Sequence, residues 1–210
     1  VRFTLTLFAA VTLFIGGCGT VPTANQAPSP SRAATVGTLG EGREGFFIHE
    51  NNSLDSGSRR DFEQAVQLIH AQDYPPAIDL LEKVVQRSPG ASAPYIDLAI
   101  AYNRTGKPDR AETHLKTALG LVPEHPVALN EYGLLCRKTG KFAEAKEHFQ
   151  KAVRRFPEYY PARKNLGILC DLYLGDPSCA LEHYEIYSAA RPEDQQAKLW
   201  VVELRKRLGR

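Results

Sequence analysis

A period of 34 residues constrains this chain more than any other feature of its sequence. Ala111 and Ala145 stand one period apart, as do Gly106 and Gly140, Pro123 and Pro157, and Ala118 and Ala152. Ala99, Gly133 and Gly167 carry the register through three units, and Leu115 aligns with Phe149. A fixed period of this length marks stacked supersecondary units, none of which buries its apolar face alone. Inside each unit the apolar residues keep helical spacing, as in Leu115, Ala118 and Leu119. Gly106 and Gly140 supply positive φ where one helix ends. Pro123, Pro157 and Pro192 stop the following helix, because proline cannot continue it and restricts the residue before it. Ala99, Gly133 and Gly167 are expected where the two helices of a unit approach most closely, opposite Ala111, Ala145 and Ala180.

These marks together resemble the tetratricopeptide repeat. Residues 92–125 carry Leu98, Ala99, Tyr102, Gly106, Ala111, Leu115, Ala118 and Pro123 at the family's positions, 126–159 repeats the set, and 160–194 carries Leu166, Gly167, Cys170, Ala180, Tyr184, Tyr187 and Pro192. The last unit has one residue inserted in its turn. Residues 58–91 form a degenerate first unit that keeps Ala65, Ala77, Leu81 and Pro89 but lacks the turn glycine. The resemblance implies an all-α, right-handed solenoid of about four helix-turn-helix repeats. A further helical pattern over 195–210 reads as a C-terminal capping helix, with Trp200 packing on the fourth repeat and covering the apolar end that a solenoid otherwise exposes.

The N-terminal part has a different character. An uncharged run from Phe3 to Ile15 follows Arg2 and is of signal-peptide length, too short to span a bilayer comfortably. Gly16, Gly17 and Cys18 come next, and the whole resembles a bacterial lipoprotein signal. That resemblance implies a cleaved signal over 1–17, lipid on Cys18, and a bacterial cell-envelope protein anchored in the membrane. Gly19, rather than Asp, after the cysteine implies the outer membrane, facing the periplasm. Residues 18–57 are rich in Pro, Ser, Ala and Gly and show no apolar period, so they read as a flexible tether. One island interrupts them, Phe46-Phe47-Ile48, expected to dock on the groove or first helix of its own domain, to bind a partner, or to fill the groove of another copy.

Charge and motifs narrow the function classes. A formal net charge of +2, from 26 Lys+Arg against 24 Asp+Glu, argues against nucleic-acid binding by phosphate neutralisation. No phosphate-binding glycine loop, zinc-protease helix or nucleophile elbow is present, so neither an enzyme nor a cofactor or small-molecule substrate is expected. His114, His148 and His183 recur at one repeat position; helices stack about 8–10 Å apart, so the row is expected to be semi-buried and polar rather than zinc-binding. Cys136 and Cys170 sit at an aromatic packing position and are expected to behave as small hydrophobes. Cys170 and Cys179, nine residues apart across the inserted turn, are a candidate disulfide in an oxidising compartment, with free thiols as the alternative.

In the family, helix A of each repeat lines a concave groove. Its groove positions correspond to Ala93, Ile96, Ile100, Asn103 and Arg104, then Val127, Asn130, Leu134, Arg137 and Lys138, and then Pro161, Lys164, Ile168, Asp171 and Leu172. An apolar floor with Arg104, Arg137, Lys138 and Lys164 along it suits a protein partner offering apolar anchors and acidic residues. The expected function is therefore a non-enzymatic, lipid-anchored scaffold for an envelope machine. Pilus or secretion lipoproteins, peptidoglycan-hydrolase adaptors and proteins of TonB-type complexes look similar in architecture. A homo-oligomer joined through the linker island, or a metal-binding envelope protein, is the alternative.

Overall fold

The computed structural model of the chain describes residues 35–38, 46–50 and 54–210. Cys18, the signal and most of the stretch read as tether lie outside the described residues. The described part consists of a two-stranded hairpin, β1 (Thr35–Thr38) and β2 (Phe46–His49), followed by nine helices. These pair in order as α1 (Ser56–His70) with α2 (Tyr74–Arg87), α3 (Ser92–Arg104) with α4 (Pro108–Leu121), α5 (Pro126–Lys138) with α6 (Phe142–Arg155), and α7 (Tyr160–Leu172) with α8 (Pro177–Ala190). The last helix, α9 (Gln195–Arg207), packs on α8. The first helices of successive pairs, α1, α3, α5 and α7, also pack on one another, which stacks the pairs into a solenoid.

Close approach within a pair rests on the small residues, though not quite as the sequence implied. A Cβ added to Gly133 would lie 2.5 Å from the Phe149 ring, and one added to Gly167 would lie 2.6 Å from the Tyr184 ring. The large residue of helix B therefore seats directly on the backbone of helix A. The expected opposite numbers, Ala111, Ala145 and Ala180, are fully buried, but the nearest neighbours of the two glycines are these aromatic rings.

All four intra-repeat turns contain one left-handed residue. In three it is glycine, Gly106 (φ 75), Gly140 (φ 77) and Gly175 (φ 61), as a turn of this kind favours. In the first turn Gln72 adopts φ 62, so the degenerate repeat keeps the geometry without its glycine, at a steric cost of about 1–2 kcal/mol. The inserted residue of the last repeat widens its turn. Lys107 and Lys141 N–H groups donate to the carbonyls of Tyr102 and Cys136, five residues back, whereas Asp176 N–H reaches six residues back to Cys170. Asp176 then caps α8 through its carboxylate, which accepts the Cys179 N–H at 3.0 Å. Cys170 and Cys179 are joined by a disulfide across this widened turn, with their Cα atoms 5.9 Å apart. Cys136, at the position equivalent to Cys170, is a buried free thiol.

Within the stretch read as an unstructured tether, the hairpin is the main departure from the sequence expectation. Its strands pair antiparallel, with Gly37 opposite Phe47, and the Phe47 ring lies over the glycine. The hairpin docks along the edge where the A helices begin. Phe46 enters a cluster of His125, Phe156 and Tyr159, with ring centroids 5.6–6.4 Å away. Glu50 receives the backbone N–H of Ser92, the first residue of α3, at 3.0 Å, and also the Ser92 hydroxyl. Ala91 offers α3 no side-chain cap, so this carboxylate supplies one from outside the helix, at the positive end of its dipole. Arg155 completes the contact by donating to the Val36 carbonyl at 3.2 Å. The linker island thus packs on its own chain, at the edge of the solenoid and away from the groove, which leaves Phe46 occupied rather than free to enter another copy.

His125 links this edge to pH. Its Nδ1 caps α5 by accepting the Ala128 N–H, and burial pushes the imidazole down to about 4. The unfolded histidine titrates near 6.5, so the unfolded state takes up the proton first as pH falls, and stability is lost between about 6.5 and 4. Asp97, raised to about 7 by burial and then by Glu131, acts in the opposite sense. Its ionisation costs the folded state, so that contribution is lost as pH rises from about 4 to 7. His125→Asn keeps a capping acceptor and removes the titration. Urea unfolding between pH 4 and 7 should show the variant losing up to about 3 kcal/mol less than the parent on acidification.

Candidate functional site: a pocket on the helix-A face

The A helices bring their last turns together on the inner face of the solenoid. There a cavity of about 340 Å³ is lined by Ile100, Asn103 and Arg104 of α3, Glu131, Leu134, Arg137 and Lys138 of α5, and Tyr173 after α7. Ile100 and Leu134 are half-buried and form its apolar floor. Three cations sit at the C-terminal ends of two helices, where the backbone dipoles favour positive charge. Lys138 is partly engaged, its ammonium donating to the Asn103 carbonyl at 2.6 Å. Arg137 lies 5.9 Å from the Tyr173 ring and keeps a buried Nη1 with no hydrogen-bond partner, and Asn103 Oδ1 is likewise buried and unpaired. A buried donor and a buried acceptor left open in one pocket are costly unless a ligand completes them.

Six of the residues expected in a groove therefore meet: Ile100, Asn103, Arg104, Leu134, Arg137 and Lys138. The other expected positions are placed differently. Ile96 is core, 3% exposed, held between helices rather than facing a ligand. Asn130 is also 3% exposed; it accepts from Asn165 at 2.9 Å and donates to Glu131 at 3.1 Å, tying α5 to α7. Lys164 is committed to Asp194 at 2.7 Å and lies over the Trp200 ring, so it anchors the cap. Asp171 accepts from Arg207 of α9 at 2.8 Å, and Ile168 packs half-buried against the core. The groove pattern misplaces these residues because helix-A positions that are open in one repeat are closed by the next repeat or by the cap.

Two lining residues were not in the pattern. Glu131 occupies the position equivalent to Asp97 and Asn165, so a recurrent polar residue one place after Asn130 was the available signal. Burial raises its carboxyl pKa, while Arg104 draws it down. Tyr173 directly follows α7 at the position of Thr105 and Thr139, so a bulky ring standing where the earlier repeats carry threonine was the available signal. Two histidines of the row, by contrast, are packed against aromatic rings, while His183 keeps a buried Nδ1 with no hydrogen-bond partner. His114 stacks on Tyr102 at 5.4 Å and His148 on Tyr132 at 4.2 Å. Trp200 packs on Tyr184 at 4.9 Å.

Comparison with known proteins agrees with this architecture. Residues 91–158 match the family model for the tetratricopeptide repeat. Among solved structures, PilF of Pseudomonas aeruginosa superposes with a TM-score of 0.67 at 19% identity, covering 73% of this chain and 69% of that one. A thermophilic tetratricopeptide-repeat protein of Thermus thermophilus, TTC0263, gives 0.62 at 20% identity, over 70% and 80% of the two chains. MamA of Desulfovibrio magneticus gives 0.62 at 17%, over 75% and 88%. No curated protein sequence matches the chain. The fold is that of a tetratricopeptide-repeat solenoid. At these identities the likeness is one of fold.

Proposed function

We propose that the chain is a non-enzymatic scaffold of the bacterial cell envelope, anchored by lipid on Cys18, whose helix-A pocket holds an acidic, apolar-anchored segment of a protein partner. The pocket is the observation that carries this reading. Its floor of Ile100 and Leu134 accepts aliphatic side chains, while Arg104 and the unpaired Arg137 Nη1 await a carboxylate. The sequence before the hairpin supports the anchor: the lipoprotein-like signal ends at Cys18, and two or three acyl chains hold a protein stably in a bilayer. The lipoprotein-like signal followed by repeats keeps pilus, secretion, hydrolase-adaptor and TonB-type assemblies as candidate settings.

A photo-crosslinking residue in place of Leu134, compared with one on the convex face at Lys151, tests the pocket in cells. Specific capture of one protein from Leu134 supports the reading, and capture from Lys151 alone removes it. Cys18→Ser should move the chain from the membrane to the soluble fraction; retention in the membrane would sink the anchor.

A further inference from the structure

The most exposed apolar side chains on the outer face of α9 are Leu199 and Val202, at 62% and 64%. Their equivalents in the second and third repeats are closed, and Lys164 in the fourth is held by Asp194. Ile96 and Ala99 are 3% and 1% exposed, and Asn130 is 3% exposed. On α9 the residues facing α8 are Ala197, Val201 and Leu204, all buried, so Leu199 and Val202 project from the opposite side.

A further repeat cannot cover this face in the manner of the earlier ones. The position of Val202 is that of Ala99, Gly133 and Gly167, where even one added Cβ on Gly133 would stand 2.5 Å from the ring of its helix B. Valine there blocks that approach and calls for a partner helix at ordinary side-chain distance, about 8–10 Å between axes. Gln195, Leu199, Val202 and Lys206 are spaced by four, three and four residues, the a/d stripe of a helix pair. Lys198 and Glu203 flank the stripe, one on each side. Both are exposed, and among the described residues neither side chain has a hydrogen-bond or ion-pair partner. The inner-flank charges are already used, Arg205 on Glu185 at 2.7 Å and Arg207 on Asp171 at 2.8 Å.

We infer that α9 is a self-association surface, on which a second copy of this chain docks its own α9 in parallel, with Leu199 and Val202 of each copy in contact. The charges choose both the occupant and the direction. In a parallel pair the residue before an a position faces the residue five places on in the other helix, so Lys198 of each copy meets Glu203 of the other, twice by symmetry. In an antiparallel pair Lys198 would instead face the flank that carries Arg205, a like charge. The footprint is short, so the dimer is weak, with a dissociation constant on the order of 10⁻⁴ M.

Sedimentation velocity of the full chain from about 10 μM to 1 mM tests this. The weight-average mass is expected to rise toward twice the monomer, and Val202→Glu should hold it at the monomer throughout. Lys198→Glu and Glu203→Lys should each weaken association at least about threefold, and the two changes combined should restore it. A monomer at every concentration, as expected if the face serves a different protein, overturns the inference. So does a dimer indifferent to Val202→Glu, which would show association through another segment.

Discussion

Phe149→Ala should lower the stability of the solenoid by about 3–5 kcal/mol in denaturant unfolding. The ring is fully buried and lies against the backbone of Gly133, so its removal empties the space that defines how α5 meets α6. Single domains are commonly stable by only about 5–15 kcal/mol, and this contact lies in a central repeat through which its neighbours are coupled. The converse change tests the same contact from the other side. Gly133→Ala places a methyl where the ring stands and should cost about 1–3 kcal/mol. Combining it with Phe149→Leu should cost clearly less than the sum of the two single changes, because the smaller side chain makes room. Strict additivity would mean that the glycine and the ring do not constrain one another.

Reversing charge in the pocket should act on binding. With Arg104→Glu and Arg137→Glu together, affinity for an acidic, leucine-containing peptide should fall by about 10²–10³-fold in fluorescence anisotropy, since two charge-assisted hydrogen bonds are lost and two carboxylates oppose the ligand. The parent's affinity should also weaken as salt is raised. Both arginines lie near helix C-termini, so each reversal also costs about 0.3–1 kcal/mol of stability. Arg104→Gln with Arg137→Gln separates the effects, because it lowers affinity without the like-charge penalty, and thermal unfolding monitors the fold. Lys138 is left in place because it holds the Asn103 carbonyl at the end of α3. Peptide binding unchanged by either pair of substitutions would remove the carboxylate-binding role.

The pocket shows where repeat logic stops. A repeat position specifies the direction of a side chain on its helix, and that placed Ile100, Arg104, Leu134 and Arg137 on one face. It does not specify what the next unit puts over that face. Lys164 and Asp171 are groove positions by register, yet Asp194 and Arg207 from the cap region engage them. Tyr173 reaches the pocket from the residue just after α7, where the two preceding repeats carry Thr105 and Thr139.

The sequence by itself determined the helix pairs, their boundaries at proline and glycine, and the solenoid they build, because these follow from local spacing and from the small residues that each pair requires. Only the tertiary structure decided how the hairpin sits. Its strands carry no long apolar period, and what holds them is spread across the chain: Glu50 on the start of α3, Phe46 among His125, Phe156 and Tyr159, and Arg155 on Val36. Those partners lie 42 to 119 residues away in the hydrogen bonds that join them. Stacking the repeats is what brings the starts of α3, α5 and α7 into one edge. A short segment has too few contacts of its own to signal its structure, and it becomes ordered only where that edge exists.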